Sequence, residues 1–282
     1  MNKCDYQFDF IASTGRTATT YLASALNAFD GVASCHEGYL DSDKLQESTL
    51  DLINLENNQA YKSEKSAFEV VRKKRSADKL GAVQKRLNVS RIFDVAYYNS
   101  TICEPLLTIH KTSRMLGIIR DCESFVRSAT TIIDEDPLPV GWPDPNKSMT
   151  PREKFIGMGR LKPRRDSEEF QCWDELSAIR RNIWLWTETN KMLCKAKLNF
   201  PDRVRIVRFE TFKSDQSAFW ESLIEFFEMH AMDMTKENVR SETVNKKPFG
   251  YQIGPSDSWT AKEQEFLAES QHIIDGLANY DF

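Results

Sequence analysis

Apolar and polar positions alternate along the chain in blocks of two kinds. Short apolar runs have the length and composition of buried β-strands at residues 8–12, 32–35, 91–97, 114–119 and 204–209. Apolar side chains recur at helical spacing at residues 17–28, 43–88, 104–109, 121–133, 168–198, 214–229 and 260–277. The last of these segments opens with Thr260 and Glu263, the spacing of a capping box. The alternation predicts one α/β domain over residues 1–282, with a central parallel sheet of about five strands flanked by helices.

One long segment shows the pattern of neither a strand nor a helix. Residues 134–151 contain five prolines and no helical spacing, which predicts a long loop. Long loops on α/β scaffolds often cover a binding site. The segment is therefore either a lid over a site or a surface insertion.

The charge balance narrows the class of partner. With 38 Lys and Arg against 42 Asp and Glu, the net charge is −4, so no general field attracts nucleic acid. The basic run at residues 72–75 then predicts a solvated helix face. No apolar stretch is long enough to cross a bilayer, and the first strand begins too early for a signal peptide. We expect a cytoplasmic monomer or homodimer with no membrane partner.

The cysteines and histidines indicate neither a disulfide framework nor a metal centre. The six cysteines are scattered without a CxxC pair, which is typical of reduced thiols in a cytosolic protein. The four histidines show no metal-ligand spacing, so no metal site is expected.

The most informative segment reads S-T-G-R-T-A-T-T at residues 13–20, between the first strand and the first helix. A strand-to-helix turn leaves backbone N–H groups pointing outward, and together with the helix dipole they attract an anion. Thr17, Thr19 and Thr20 add hydroxyl donors, and Arg16 adds a guanidinium suited to phosphate or sulfate oxygens. The segment lacks the G-K-[ST] ending of a Walker A loop and the glycines of G-x-G-x-x-G.

These residues, with the next two, Tyr21 and Leu22, resemble the 5′-phosphosulfate loop of the sulfotransferases that use 3′-phosphoadenosine 5′-phosphosulfate (PAPS). A second motif resembles the 3′-phosphate motif of that family: Arg120 leaves a later strand, and Ser128 follows eight residues on in the next helix. The run R-F-E-T-F at residues 208–212 is similar to the family's R-Y-E-D-L, and the terminal G-L-A-N-Y-D-F resembles its usual ending. Two phosphate motifs in the right order, each at a strand-to-helix junction, carry the resemblance.

The resemblance implies a P-loop, nucleotide-kinase-like topology and a PAPS-dependent enzyme. Its reaction would transfer a sulfuryl group to a hydroxyl or amine of a small-molecule acceptor, such as a metabolite or natural product, leaving adenosine 3′,5′-bisphosphate. Lys246 and Lys247 fall where the family places a basic loop over the nucleotide, although a solvated loop is the alternative. The implied nucleotide-binding residues are Gly15, Arg16, Thr17, Ala18, Thr19, Thr20, Arg120, Ser128, Lys246 and Lys247.

Two positions depart from the family's pattern. Ala18 stands where the loop usually has glycine, so we expect a negative φ there. Many relatives have a lysine in a D-K-x-P near the third strand, where this chain reads D-V-A-Y. We expect the contribution of that lysine to come from another residue, with Lys111 as a candidate, or to be absent.

Two adjacent residues compete for the role of general base. His36 and Glu37 end the second strand, which we expect to lie beside the phosphate loop. Neighbouring strand residues face opposite sides, so only one of them should face the site. The resemblance favours Glu37, whereas a pKa near neutrality is the argument for His36. Arg16 would act on charge that develops at the phosphate–sulfate bridge, and His110 with Lys111 forms a second candidate cluster.

Two other functions remain open at this point. A P-loop small-molecule kinase would use ATP, but no Mg²⁺ ligand set is evident in the sequence. A catalytically inactive relative would bind nucleotide only, and the missing strand lysine is consistent with it.

Overall fold

A parallel sheet forms the centre of the structure. The computed structural model describes residues 7–39, 46–47, 50–130, 142, 160–229, 251, 253–278 and 280–281. The strands in these ranges are β1 (Gln7–Ser13), β2 (Val32–His36), β3 (Gly38–Tyr39), β4 (Gln46–Glu47), β5 (Arg91–Val95), β6 (Met115–Ile119) and β7 (Val204–Arg208). Five of them form one all-parallel sheet in the order β2-β5-β1-β6-β7, and β3 pairs antiparallel with β4. The predicted α/β sheet is confirmed.

The strand order places a crevice at the carboxyl end of β1. The chain runs from β1 to the edge strand β2, returns to β5, and then crosses β1 to reach β6. Connections that leave a strand in opposite directions open a binding crevice at the carboxyl edge of the sheet. The end of the second strand lies beside the phosphate loop as expected, with His36 against Thr19, although β5 stands between β2 and β1 in the sheet. Helix α1 (Thr19–Leu26) packs against both β2 and β5, so this crossover spans two strand positions.

Helices cover both faces of the sheet. After α1 they are α2 (Leu50–Lys62), α3 (Glu64–Lys74), α4 (Ala77–Leu87), α5 (Cys103–Ile109), α6 (Cys122–Thr130), α7 (Glu168–Gln171), α8 (Ala178–Asn199), α9 (Phe209–Ser214), α10 (Gln216–Phe226) and α11 (Ala261–Leu277). A 3₁₀ turn at Tyr97–Thr101 follows β5. The predicted capping box is present at the start of α11, where Thr260 and Glu263 exchange both hydrogen bonds. No helix in the described part of the chain is long and apolar enough to cross a membrane.

Alternate side chains of the strands enter two separate cores. Phe8 and Phe10 pack with α5, α6, α8 and α11 on one face, whereas Ile11 packs with α1 and α10 on the other. This is the period-two pattern of a strand buried on both faces. Trp184 and Trp186 of α8 are buried in the larger core, so both tryptophans are packing residues.

The basic run at residues 72–75 is not a uniformly solvated face. Arg75 ends α3 with only 6% of its surface exposed. Its Nε donates to Oδ2 of Asp94 at 3.0 Å, and the guanidinium lies 5.1 Å from the ring centre of Tyr98. The prediction was therefore wrong for Arg75, because a fully buried aspartate inside β5 needs a buried cation.

Candidate functional site

The loop after β1 has a backbone shaped to bind an anion. Gly15 and Arg16 both adopt positive φ, at 87° and 59°. Oγ of Ser13 accepts a hydrogen bond from the amide of Gly15 at 3.0 Å and another from Oγ1 of Thr17 at 2.9 Å. Successive residues in such conformations turn their N–H groups toward one concavity, which attracts anions. The loop leads directly into α1, whose dipole adds to the attraction.

Ala18 carries backbone strain at the start of α1. It is the N-cap residue, with φ 57° and ψ 28°, and its side chain provides no cap hydrogen bond. The expected negative φ was wrong. Ala18 adopts the left-handed conformation that glycine usually adopts in this loop, although alanine carries a Cβ. The left-handed conformation costs an L-residue about 1–2 kcal/mol. Strain that persists in a loop is a mark of functional sites.

Arg120 and Ser128 meet the same loop from the next strand. Arg120 follows β6 directly, and Ser128 lies on α6; both are buried. Nη1 of Arg120 donates to the carbonyl oxygen of Arg16 at 2.8 Å. Nε of Arg16 donates to Oγ of Ser128 at 3.0 Å. The carboxyl ends of β1 and β6 are thereby joined through side chains.

Two guanidinium groups lie close together at this junction. Burial lowers the pKa of Arg16, and the neighbouring charge of Arg120 lowers that pKa further. Among the residues that the structure describes, no carboxylate forms an ion pair with either arginine. Bringing like charges together in a buried place costs free energy that a bound anion would offset.

The surroundings of Arg120 fix its position. Its carbonyl oxygen accepts a hydrogen bond from Nε1 of Trp186 at 2.8 Å, and its guanidinium lies 5.4 Å from the ring centre of Phe209. The amide of Asp121 donates to Oε1 of Glu210 at 3.2 Å. Phe209 and Glu210 of the run R-F-E-T-F, at the start of α9, therefore support residues 120–121, which gives that third motif a physical role.

The two base candidates converge at the end of β2. Nε2 of His36 lies 3.1 Å from Oγ1 of Thr19, 3.3 Å from Oγ1 of Thr20 and 3.7 Å from Oε1 of Glu37. The prediction that only one of His36 and Glu37 would face the site was wrong. Glu37 adopts φ 51°, which ends the strand and turns its carboxylate back toward the imidazole. Strand alternation no longer applies once the backbone is left-handed.

Solved structures are similar to this chain, whereas no protein-family model and no curated protein matches it. The sulfotransferase domain of an olefin synthase from Synechococcus is 13% identical, with a TM-score of 0.52 over 100% of this chain and 98% of its own. The chain has the sulfotransferase fold. The sulfotransferase domain from the curacin biosynthetic pathway is 14% identical (TM-score 0.49; 94% and 98% covered). A sulfotransferase from Mycobacterium tuberculosis is 10% identical (TM-score 0.48; 94% and 77% covered).

In this sulfotransferase fold, the cluster at residues 110–111 lies away from the loop. His110 precedes β6, at the amino edge of the sheet, whereas the loop follows the carboxyl ends. The imidazole is buried against Phe8, and its Nε2 lies 2.8 Å from the carbonyl oxygen of Arg75. His110 and Lys111 were wrong as site candidates, because residues that precede a strand of a parallel sheet lie at its amino edge, opposite the loop.

Lys246 and Lys247 lie outside the described residues, as does the 134–151 loop apart from Trp142. The indole of Trp142 is buried against Trp173, with ring centres 5.2 Å apart. Its main-chain amide and carbonyl both bond the side-chain amide of Asn182. This point of the predicted lid is packed into the core.

Three residues near the site were not predicted. The OH of Tyr251 accepts a hydrogen bond from Nη2 of Arg120 at 3.1 Å, and the ring lies 4.6 Å from the guanidinium of Arg127. Tyr97 follows β5, and Arg160 is buried near it. The available signals in the sequence were the basic segment at residues 160–165, which begins with Arg160, and an aromatic residue, Tyr251, shortly after Lys247. Among the described residues, no group of three or more His, Cys, Asp or Glu side chains could hold a metal ion.

Proposed function

We propose that the protein transfers the sulfuryl group of PAPS to a hydroxyl or amine of a small-molecule acceptor. The observation that carries the proposal is the pair of arginines at the carboxyl ends of β1 and β6. Arg120 is buried and Arg16 is half-buried beside it, without a described carboxylate partner, so the junction suits a ligand with several negative charges.

The 3′-phosphate is assigned to Arg120 and Ser128. The guanidinium of Arg120 is held from behind by Phe209 and Tyr251, and Oγ of Ser128 already takes part in a polar contact with Arg16. Both are buried, so a phosphate bound there would meet its donors in a poorly hydrated place, where charge-assisted hydrogen bonds are strong. Lys246 and Lys247 are proposed to cover the nucleotide from the other side.

The 5′ end is assigned to the loop at residues 15–20. Its outward amides and the hydroxyls of Thr17, Thr19 and Thr20 would bind the phosphosulfate oxygens. PAPS supplies an activated sulfuryl group, and group transfer of this kind depends mainly on positioning and on electrostatic stabilisation. Arg16 would stabilise the charge that develops on the phosphate side of the breaking bond.

Proton removal from the acceptor is assigned to the pair at the end of β2. Glu37 is the proposed base, and His36 holds its imidazole against Thr19, Thr20 and the Glu37 carboxylate. A carboxylate beside an imidazole can pass on a proton and stabilise the imidazolium that results. The pair therefore connects the base to the hydroxyls that would bind the sulfate.

The direct test is turnover. The purified protein is incubated with PAPS and a panel of desulfo-metabolites, and mass spectrometry follows acceptors that gain one SO₃ group together with release of adenosine 3′,5′-bisphosphate. We expect product with the wild-type chain and none with Arg16→Ala. Binding of adenosine 3′,5′-bisphosphate without any turnover would favour the inactive relative.

A further inference from the structure

Tyr251 places a phenol hydroxyl at the junction of the two arginines. Nη2 of Arg120 donates to this hydroxyl at 3.1 Å. Burial lowers the pKa of Arg16 and the charge of Arg120 lowers it further, whereas Tyr251 raises that pKa. The hydroxyl therefore lies near Arg16 as well as beside Arg120. This is the place to which the proposed function assigns the 3′-phosphate.

The guanidinium of Arg120 keeps N–H groups for a ligand. Its Nε donates to Oγ of Ser124 at 2.9 Å, its Nη1 to the carbonyl oxygen of Arg16 and its Nη2 to Tyr251. Each terminal nitrogen of a guanidinium carries a pair of N–H groups. After the contacts within the described part of the chain, one N–H remains on Nη1 and one on Nη2. These two can bind oxygens of one phosphate.

The phenol of Tyr251 has a proton to donate. Within the described ranges its one hydrogen-bond partner is Arg120, and in that contact the phenol oxygen is the acceptor. Because a guanidinium only donates, the O–H proton of Tyr251 has no acceptor among those residues. The side chain is 42% exposed, so water can accept this proton in the free protein. A bound phosphate would take the place of that water and accept the same hydrogen bond.

The ring of Tyr251 is held in place from α6. Its ring centre lies 4.6 Å from the guanidinium of Arg127, whose Nε donates to the carbonyl oxygen of Ile253 at 3.2 Å. Glu123, one turn earlier on α6, accepts from Nη1 of Arg127 at 3.3 Å and from Oγ of Ser256 at 2.6 Å. The same helix carries the serine of the 3′-phosphate motif. The hydroxyl of Tyr251 is thus positioned by the helix that already contributes to the phosphate site.

We infer that Tyr251 donates its O–H hydrogen bond to the 3′-phosphate, as a third binding residue beside Arg120 and Ser128. This inference rests on the proposed function, because it adds a donor to that same nucleotide site. A phosphate bonded to Nη2 of Arg120 has further oxygens, and one of them can accept from the phenol next to that nitrogen. A phenol supports the phosphate without adding another positive charge to a junction that already holds two arginines.

The experiment removes the hydroxyl and keeps the ring. Tyr251→Phe retains the aromatic contact with Arg127. The matched control is Tyr280→Phe, because the ring of Tyr280 also lies over a guanidinium, that of Arg208 at 4.0 Å, and belongs to the segment after α11. Calorimetry measures the affinity of each protein for adenosine 3′,5′-bisphosphate, adenosine 5′-phosphosulfate and inorganic phosphate. Urea unfolding checks that each variant is folded.

Tyr251→Phe should weaken binding of adenosine 3′,5′-bisphosphate by roughly 5- to 30-fold, the lower range for a hydrogen bond to a charged group, since the phenol is partly exposed. Its affinity for adenosine 5′-phosphosulfate, which lacks the 3′-phosphate, should stay at the wild-type level, and Tyr280→Phe should change neither affinity. If the hydroxyl serves only to hold Arg120, its removal frees an N–H of Nη2 for the phosphate. Affinity for the bisphosphate would then be unchanged or higher, which would overturn the inference, as would equal losses for both nucleotides.

The inorganic phosphate measurement separates this inference from the proposed function. If neither nucleotide binds but inorganic phosphate does, and Tyr251→Phe weakens it, the proposed sulfuryl transfer fails and Tyr251 remains an anion-binding residue. If the wild-type protein turns over PAPS and Tyr251→Phe binds the bisphosphate equally well, the inference about Tyr251 fails alone. Absence of binding for all three ligands would overturn both.

Discussion

Nη1 of Arg120 donates a hydrogen bond to the carbonyl oxygen of Arg16 at 2.8 Å. This contact ties the residue that follows β6 to the loop that follows β1. The contact also holds the carbonyl oxygen of Arg16 inward. This orientation is consistent with the positive φ of Arg16 and with backbone amides of the loop that point outward. One side chain therefore contributes twice, as a cation of the anion site and as a support for the loop that forms the rest of it.

Removing Arg120 should weaken binding of the 3′-phosphate more than binding of the 5′ end of the nucleotide. Arg120→Ala is expected to weaken binding of adenosine 3′,5′-bisphosphate by about 2–3 kcal/mol, the scale of a charge-assisted contact. Adenosine 5′-phosphosulfate lacks the 3′-phosphate, so its affinity should fall much less, only by what loss of the Arg120–Arg16 contact costs the loop. Calorimetry with both ligands makes the comparison, and Arg114→Ala, just before the opposite end of β6, is the control. Equal losses for both ligands would contradict the assignment.

Replacing the proposed base should affect the rate and not donor binding. Glu37→Gln is expected to lower kcat on the order of 10²- to 10⁴-fold, as loss of a general base does. Affinity for adenosine 3′,5′-bisphosphate should stay at the wild-type level, because other residues bind it. Steady-state kinetics with saturating PAPS give kcat, and Glu104→Gln on α5 is the matched control.

The partner of that base should have a smaller effect. His36→Ala removes contacts to Thr19 and Thr20, so we expect a moderate fall in kcat with a rise in KM for PAPS. If Glu37→Gln keeps a near-normal kcat while His36→Ala abolishes turnover, the two roles are reversed.

Much of the fold could be predicted because each strand is a short run that is apolar on both faces. Turn residues, helical spacing and the Thr260–Glu263 box then indicated the helices between them. The order of the strands could not be predicted in the same way. An apolar run shows that a strand is buried but not which strand lies beside it, so β5 between β2 and β1 was missed.

The site was predicted where spacing alone carries the geometry. A residue at a strand end and another two turns into the next helix can face the same place, and Arg120 and Ser128 both contact Arg16. Backbone handedness at Ala18 and Glu37 could not be predicted, because nothing in a non-glycine residue indicates a positive φ. The pairing of Arg75 had a signal: Asp94 inside an otherwise apolar strand requires a buried partner.

Relieving the strain in the loop should stabilise the protein. Ala18→Gly removes a left-handed penalty of about 1–2 kcal/mol and adds about 0.5–1 kcal/mol of unfolded-chain entropy, so a net gain of about 0.5–1 kcal/mol is expected. Ala23→Gly, in the interior of α1, should instead destabilise by about 1 kcal/mol. Urea unfolding measures both, and a loss of stability in Ala18→Gly would contradict the strained conformation.

The buried carboxyl of Asp9 should make stability depend on pH. Burial raises its pKa from 3.8 to about 6, although Arg91 and the amide of Arg114 act against burial. Between these values the folded state keeps a proton that the unfolded chain has released, so this group's contribution to stability falls as pH rises through the window.

Asp9→Asn should remove that dependence. One pKa unit corresponds to about 1.4 kcal/mol. The unfolding free energy of the variant minus that of the wild type is therefore expected to rise by about 2–3 kcal/mol between pH 4 and pH 7. Urea unfolding of both proteins at several pH values gives the difference. A difference that stays flat or falls over this range would show that the carboxyl of Asp9 titrates normally.

Competition between nucleotides tests the central claim most directly. Calorimetry measures the affinity of the wild-type protein for adenosine 3′,5′-bisphosphate, alone and with excess ATP and Mg²⁺. If Arg16, Arg120 and Ser128 form a site for a nucleoside 3′,5′-bisphosphate, that ligand binds and ATP does not displace it. A protein that binds ATP in its place would be a P-loop kinase, and that result would contradict sulfuryl transfer from PAPS.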